Sequence, residues 1–78
     1  MPSTAAFAQL GVRTGGLVAT FDESEGLGTL TDAVGGTWPF HCVAIADGTR
    51  TVPVGAEVEF ALASGHGGRI EAVGITRR

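Results

Sequence analysis

Lysine, asparagine and tyrosine do not occur in these 78 residues, and cysteine, methionine and tryptophan occur once each. Without lysine, the positive charge rests on five arginines against eight acidic residues, for a net charge of -3. That balance excludes a protein that holds polyanions by overall charge alone. A single cysteine cannot close an internal disulfide, so the staple of small secreted domains is missing and a reducing compartment, the cytoplasm, is expected. No uninterrupted apolar run approaches the ~18 residues of a membrane span. The opening MPSTAAFAQLGVRT has neither the basic start nor the apolar stretch of a secretory signal. A soluble protein with no membrane partner is expected. The length leaves no room for a second domain or a large enzyme, and a chain of this size folds with a net free energy of only roughly 4–12 kcal/mol. The absent residue types, beside abundant Ala, Gly, Val and Arg, also match the skew of GC-rich coding DNA, as in a high-GC bacterium.

What the chain does have is thirteen glycines that punctuate short runs rich in Val, Ile, Phe, Thr and Leu, the pattern of a small barrel or sandwich. Strands are expected over Gly16–Phe21, Leu27–Thr31, Trp38–Ala44, Glu57–Ala63 and Ile70–Thr76. In the fourth, Val58, Phe60 and Leu62 alternate with Glu57, Glu59 and Ala61, which gives one buried and one wet face. The fifth slips phase between Ala72 and Val73, as a bulge pivoting on Gly74 would make it do. In the first, alternation alone leaves open whether Val18 and Thr20 or Leu17, Ala19 and Phe21 face inward. Turns are expected at Asp22–Gly26, Gly35-Gly36 and Ser64–Gly68, and Ile45–Gly55 fits a crossing connection between two halves of a barrel. Pro39 has no N–H to give a ladder, so the third strand must have an unpaired edge or a bulge there. Residues 1–14 are expected to form a weakly ordered extension, with a short capped helix over Ala5–Leu10 as the alternative.

Constellations for chemistry are thin. Cys42 beside His41 invites a nucleophile and base pair, but neighbours on a strand face opposite ways, so the two are not expected to share a proton. Cys42, His41 and His66 are too few and wrongly spaced for a metal site. Gly26-Leu27-Gly28 lacks the third glycine and the following helix of a dinucleotide fingerprint. Neither catalysis nor a cofactor nor a small-molecule substrate is expected.

The residues themselves resemble the bacterial cold-shock protein family from about Gly15 to Thr76. Gly16-Leu17-Val18-Ala19-Thr20-Phe21-Asp22 is similar to that family's Gly-x-Val-Lys-Trp-Phe-Asn, and Glu25-Gly26-Leu27-Gly28-Thr29-Leu30 to its Lys-Gly-Phe-Gly-Phe-Ile. Trp38-Pro39-Phe40-His41-Cys42-Val43-Ala44-Ile45 resembles Val-Phe-Val-His-Phe-Ser-Ala-Ile, and Val58-Glu59-Phe60 with Glu71-Ala72 resembles the fourth and fifth strands. The resemblance implies an all-β, five-stranded OB-type Greek-key barrel over residues 15–78. It places Val18 inward and Phe21 outward, and puts Trp38 and Phe40 at inward valine positions, with the extra volume absorbed at Ala44, Ala61 or Ala63.

The family holds single-stranded RNA or DNA on exposed rings, each stacked base contributing ~1–3 kcal/mol. Here the resemblance assigns those positions to Thr20, Leu27, Thr29, Pro39 and Cys42, none aromatic, and leaves only Phe21 and His41. Two of the family's lysines correspond to Ala19 and Glu25. Losing about 1 kcal/mol at each of five positions amounts to between three and four powers of ten in affinity. The resemblance therefore implies weak, RNA-chaperone-like binding of single-stranded RNA or DNA through Phe21, Leu27, Thr29, His41, Cys42 and Arg50. The alternative is a protein-interaction or homodimerising module on the same apolar patch.

Overall fold

The computed structural model describes residues 12–78, without the side chain of His66. Five antiparallel strands, β1 (Thr14–Asp22), β2 (Leu27–Asp32), β3 (Thr37–His41), β4 (Glu57–Ser64) and β5 (Ile70–Arg77), form one sheet in the order β3-β2-β1-β4-β5. The first three make a meander, and the chain then crosses back so that β4 pairs with the free side of β1. The barrel is closed where Ile45 bridges Ile75 in parallel and the Ala46 N–H donates to the Ile75 carbonyl at 2.8 Å. The all-β, OB-type barrel expected from the sequence is the architecture observed. The expected N-terminal extension falls, up to Gly11, outside the described residues, while β1 already begins at Thr14.

The apolar residues of each strand meet in one core. Val18, Leu30, Phe40, Val58, Phe60, Leu62, Ala72 and Ile75 are buried, as are Ile45 and Val52 from the crossing connection. β4 alternates as its sequence predicts, with Val58, Phe60 and Leu62 inward. On β5 the register against β4 shifts between Glu59 and Ala61, where Gly74 takes φ 58°, so that Ala72 and Ile75, three residues apart, both point inward. The expected pivot is thus in place. β3 pairs with β2 only, leaving the edge that Pro39 requires.

Three expectations are corrected. The first concerns β1, where the register against β2 shifts between Val18 and Thr20, making Ala19 the extra residue of a bulge. One inserted residue reverses the phase, so Val18 and Phe21 lie on the same side of the strand instead of opposite sides. Phe21 is therefore half-buried against the core, its ring stacked parallel on Phe40 at 5.8 Å between centroids. The second concerns the third strand, which ends at His41; Cys42–Ala44 form a 3-10 turn. The third concerns the space taken by large rings. Of the three alanines expected to absorb it, Ala44 packs against the core, but Ala61 and Ala63 sit on the half-exposed face of β4, and Gly28 makes room for Phe40.

Gly28 lies between the two rings in the register, opposite Phe21 on one side and Phe40 on the other. A Cβ there would come within 2.5 Å of the Thr20 carbonyl oxygen and 2.6 Å of the Phe40 ring. The backbone oxygen cannot yield without disturbing the ladder. Gly28→Ala is expected to destabilise the fold by about 2 kcal/mol, within the usual range for overpacking. Urea denaturation would check it, and an unchanged midpoint would show that the strands can part at little cost.

Candidate functional site

The outward face of β1, β2 and β3 is ordered by the register into rungs. Thr20, Thr29 and Pro39 lie opposite one another on one rung, and Asp22, Leu27 and His41 on the next. The alternation that buries Gly28, Leu30 and Phe40 turns Leu27, Thr29, Pro39 and His41 the other way. Thr20 Oγ1 and Thr29 Oγ1 share a hydrogen bond of 2.9 Å. Thr20, Leu27, Thr29, Pro39 and His41, with Gly28 and Phe40 at its floor and Arg69 and Glu71 from the end of the β4–β5 hairpin, line an open groove of about 640 Å³.

Of the residues expected in the site, Leu27, Thr29 and His41 come together in this groove. Phe21 is outside the lining, on the core side of the sheet, where it stacks on Phe40. Cys42 and Arg50 are outside the lining. Arg50 sits on the exposed crossing connection at φ 60°. Arg69 and Glu71 join the lining although neither is among the residues the sequence points to; their spacing of two is the one signal that puts both on one side of the chain.

His41 is fixed by the turn that ends β3. It stands at the N-terminal cap of the 3-10 turn with extended backbone (φ -102°, ψ 150°), and its Nδ1 accepts from the Val43 N–H at 3.4 Å. An accepting Nδ1 leaves the proton on Nε2, so the ring presents an N–H donor on its other side. The same turn brings Cys42 Sγ to 3.8 Å from Nδ1, which overturns the expectation that the pair faces apart; the reason is that the chain leaves the strand at Cys42. Cys42 also tethers the β1–β2 turn. Its N–H donates to the Gly26 carbonyl at 2.7 Å, and Gly26, at φ 68°, leaves no room for a Cβ, which would lie 2.8 Å from the sulfur.

Charge is distributed unevenly around the groove. In the β1–β2 turn, hydrogen bonds from the Ser24 hydroxyl and from the backbone N–H groups of Glu25 and Ser24 hold the Asp22 carboxyl below the usual carboxylate range. Asp22 therefore keeps its negative charge to a lower pH than an ordinary aspartate does. Arg13 and Arg78 both approach Glu59, at 3.8 and 3.4 Å, on the exposed face of β4 and away from the groove. Arg69 is the cation in the lining.

No protein-family model and no curated protein sequence matches this chain. Among solved structures it is similar to one titled Drosophila Unr CSD456, with 24% identity and a TM-score of 0.71 over 100% of this chain and 31% of that one. The chain thus spans about a third of the length of that neighbour. Likeness at this level speaks for the fold, and the strand order, the barrel closure and the neighbour agree that the fold is that of a cold-shock domain.

Proposed function

We propose that this chain is a non-catalytic, cytoplasmic module that binds single-stranded RNA or DNA weakly along the groove on the outward face of β1–β3. The observation that carries this reading is the gathering of Leu27, Thr29, Pro39, His41 and Arg69 around one open groove on a cold-shock-type barrel. The groove is long on apolar contact and short on rings. Bases can lie against Leu27, which is 51% exposed, and Pro39, but neither supplies a π face of the kind that makes strand binding tight. Arg69 can meet a phosphate, and the His41 Nε2–H can donate to a phosphate or a base edge. The anionic β1–β2 turn opposes phosphate, and salt screens that opposition over ~8 Å.

Fluorescence anisotropy of a labelled hexanucleotide at two salt concentrations tests this. A dissociation constant in the micromolar range or weaker is expected, rising with salt, and Arg69→Ala and His41→Ala should each weaken binding roughly three- to tenfold. Absence of any titratable signal, together with concentration-dependent association in sedimentation, would favour the second reading. In that reading Leu27 and the 65% exposed Val43 belong to a protein-interaction or homodimer surface.

A further inference from the structure

We infer that Glu71 makes the groove selective for guanine over uracil or thymine, an inference that rests on the strand-binding reading above. Glu71 is half-buried and lines the groove beside Arg69, yet both ion pairs found among the described residues go to Glu59, so its carboxylate has no arginine within pairing distance. Its position is specific. A Cβ on Gly65 would collide with the Glu71 carboxyl group, coming within 2.6 Å of Oε2, and Gly65 is outside the left-handed region, so its backbone does not itself require glycine. The bare Gly65 backbone is what gives the carboxylate its seat.

A carboxylate in such a place repels every phosphate and accepts from any neighbouring pair of N–H groups. Guanine offers two adjacent donors, N1–H and the 2-amino group, which match the two carboxylate oxygens. Its O6, next to them, is an acceptor suited to Arg69 or to the His41 Nε2–H. Uracil and thymine present a single N–H flanked by two carbonyl oxygens, which a carboxylate disfavours. Adenine and cytosine offer one amino group beside a ring acceptor and fall between. A bidentate contact to the correct base is expected to discriminate by on the order of tenfold or more.

The test compares labelled UUUUUU, UUGUUU and the same hexamer with inosine for guanine, a single purine being used to avoid four-stranded assemblies. The native chain should bind UUGUUU at least about tenfold more tightly than UUUUUU, with inosine, which lacks the 2-amino group, in between. Glu71→Gln should remove this preference while binding UUUUUU as well as the native chain or better. A lost structural support would weaken all three oligomers together. Gly65→Ala, which displaces the carboxylate from its seat, should lower the preference in the same direction. Measurable binding with equal affinities, or a preference that survives Glu71→Gln, would overturn the inference and leave strand binding standing. If no oligomer binds, the strand-binding reading fails and takes this one with it.

Discussion

Asp32→Ala is expected to remove about 3 kcal/mol of folding free energy, a large part of the roughly 4–12 kcal/mol that a chain of this length has. Asp32 is buried at the end of β2, 7% exposed, and it organises the β2–β3 turn from within. Its Oδ1 accepts from the backbone N–H groups of Val34 (3.0 Å) and Gly36 (2.7 Å), and its Oδ2 accepts from the Trp38 Nε1–H at 2.7 Å. Hydrogen bonds to a charged group each contribute about 1.5–3 kcal/mol, but the three do not simply add. Val34 is exposed and its N–H can turn to water when the carboxylate is gone. The half-buried indole of Trp38 is less able to do so and carries most of the cost. Asp32→Asn should lose less, about 1–2 kcal/mol, because an amide keeps one accepting oxygen while turning an NH₂ towards a donor. Urea denaturation followed by the single tryptophan measures both variants. A change below about 1 kcal/mol for Asp32→Ala would mean that the turn is held by its glycines and backbone bonds alone.

This turn also marks where sequence patterns stop being informative. Strand β4 could be read directly because Val58, Phe60 and Leu62 keep strict alternation, and Gly74 could be read because the apolar phase breaks beside it. Both are local signals. The bulge at Ala19 leaves no such mark: Leu17-Val18-Ala19-Thr20-Phe21 is compatible with either phase, so the reversal that brings Phe21 onto Phe40 comes from the pairing with β2. The end of β3 is hidden for a different reason. His41-Cys42-Val43-Ala44-Ile45 has the composition of a strand, and it turns because the His41 side chain accepts from the Val43 N–H and because Ile45 must reach Ile75 to close the barrel. The Asp32–Trp38 contact depends on the two strands folding back so that residues six apart meet, and Gly35-Gly36 showed the reversal without showing what the carboxylate does in it. The groove follows the same rule. Leu27, Thr29 and His41 could be placed by alternation and resemblance, whereas Arg69 and Glu71 reach it only because the β4–β5 hairpin is carried around to the side of β3.

If the outward face of β1–β3 is where a strand lies, putting rings back on it should restore tight binding. The variant Leu27→Phe, Thr29→Phe, Glu25→Lys is expected to bind a single-stranded hexamer on the order of a hundredfold more tightly than the native chain. Two stacked bases at ~1–3 kcal/mol each give roughly 2–6 kcal/mol, and the lower half of that range applies because mobile side chains lose freedom when they stack. The added lysine replaces a repelling charge and should steepen the fall of affinity with salt, by up to about 0.7 in the logarithmic slope for one phosphate contact. The fold should tolerate all three changes. Glu25 and Leu27 are exposed, Thr29 is half-exposed, and the hydrogen bond lost between the Thr20 and Thr29 hydroxyls can be replaced by water. Stability is therefore expected to change by less than about 1 kcal/mol, since exposed positions away from caps and core seldom do more. Leu27 and Thr29 lie on adjoining rungs of one face, so the new rings would stand side by side as two successive stacking platforms. A folded triple variant with native affinity would mean that nucleic acid does not use this face, and the apolar patch around Leu27 would then have to be explained by a protein partner.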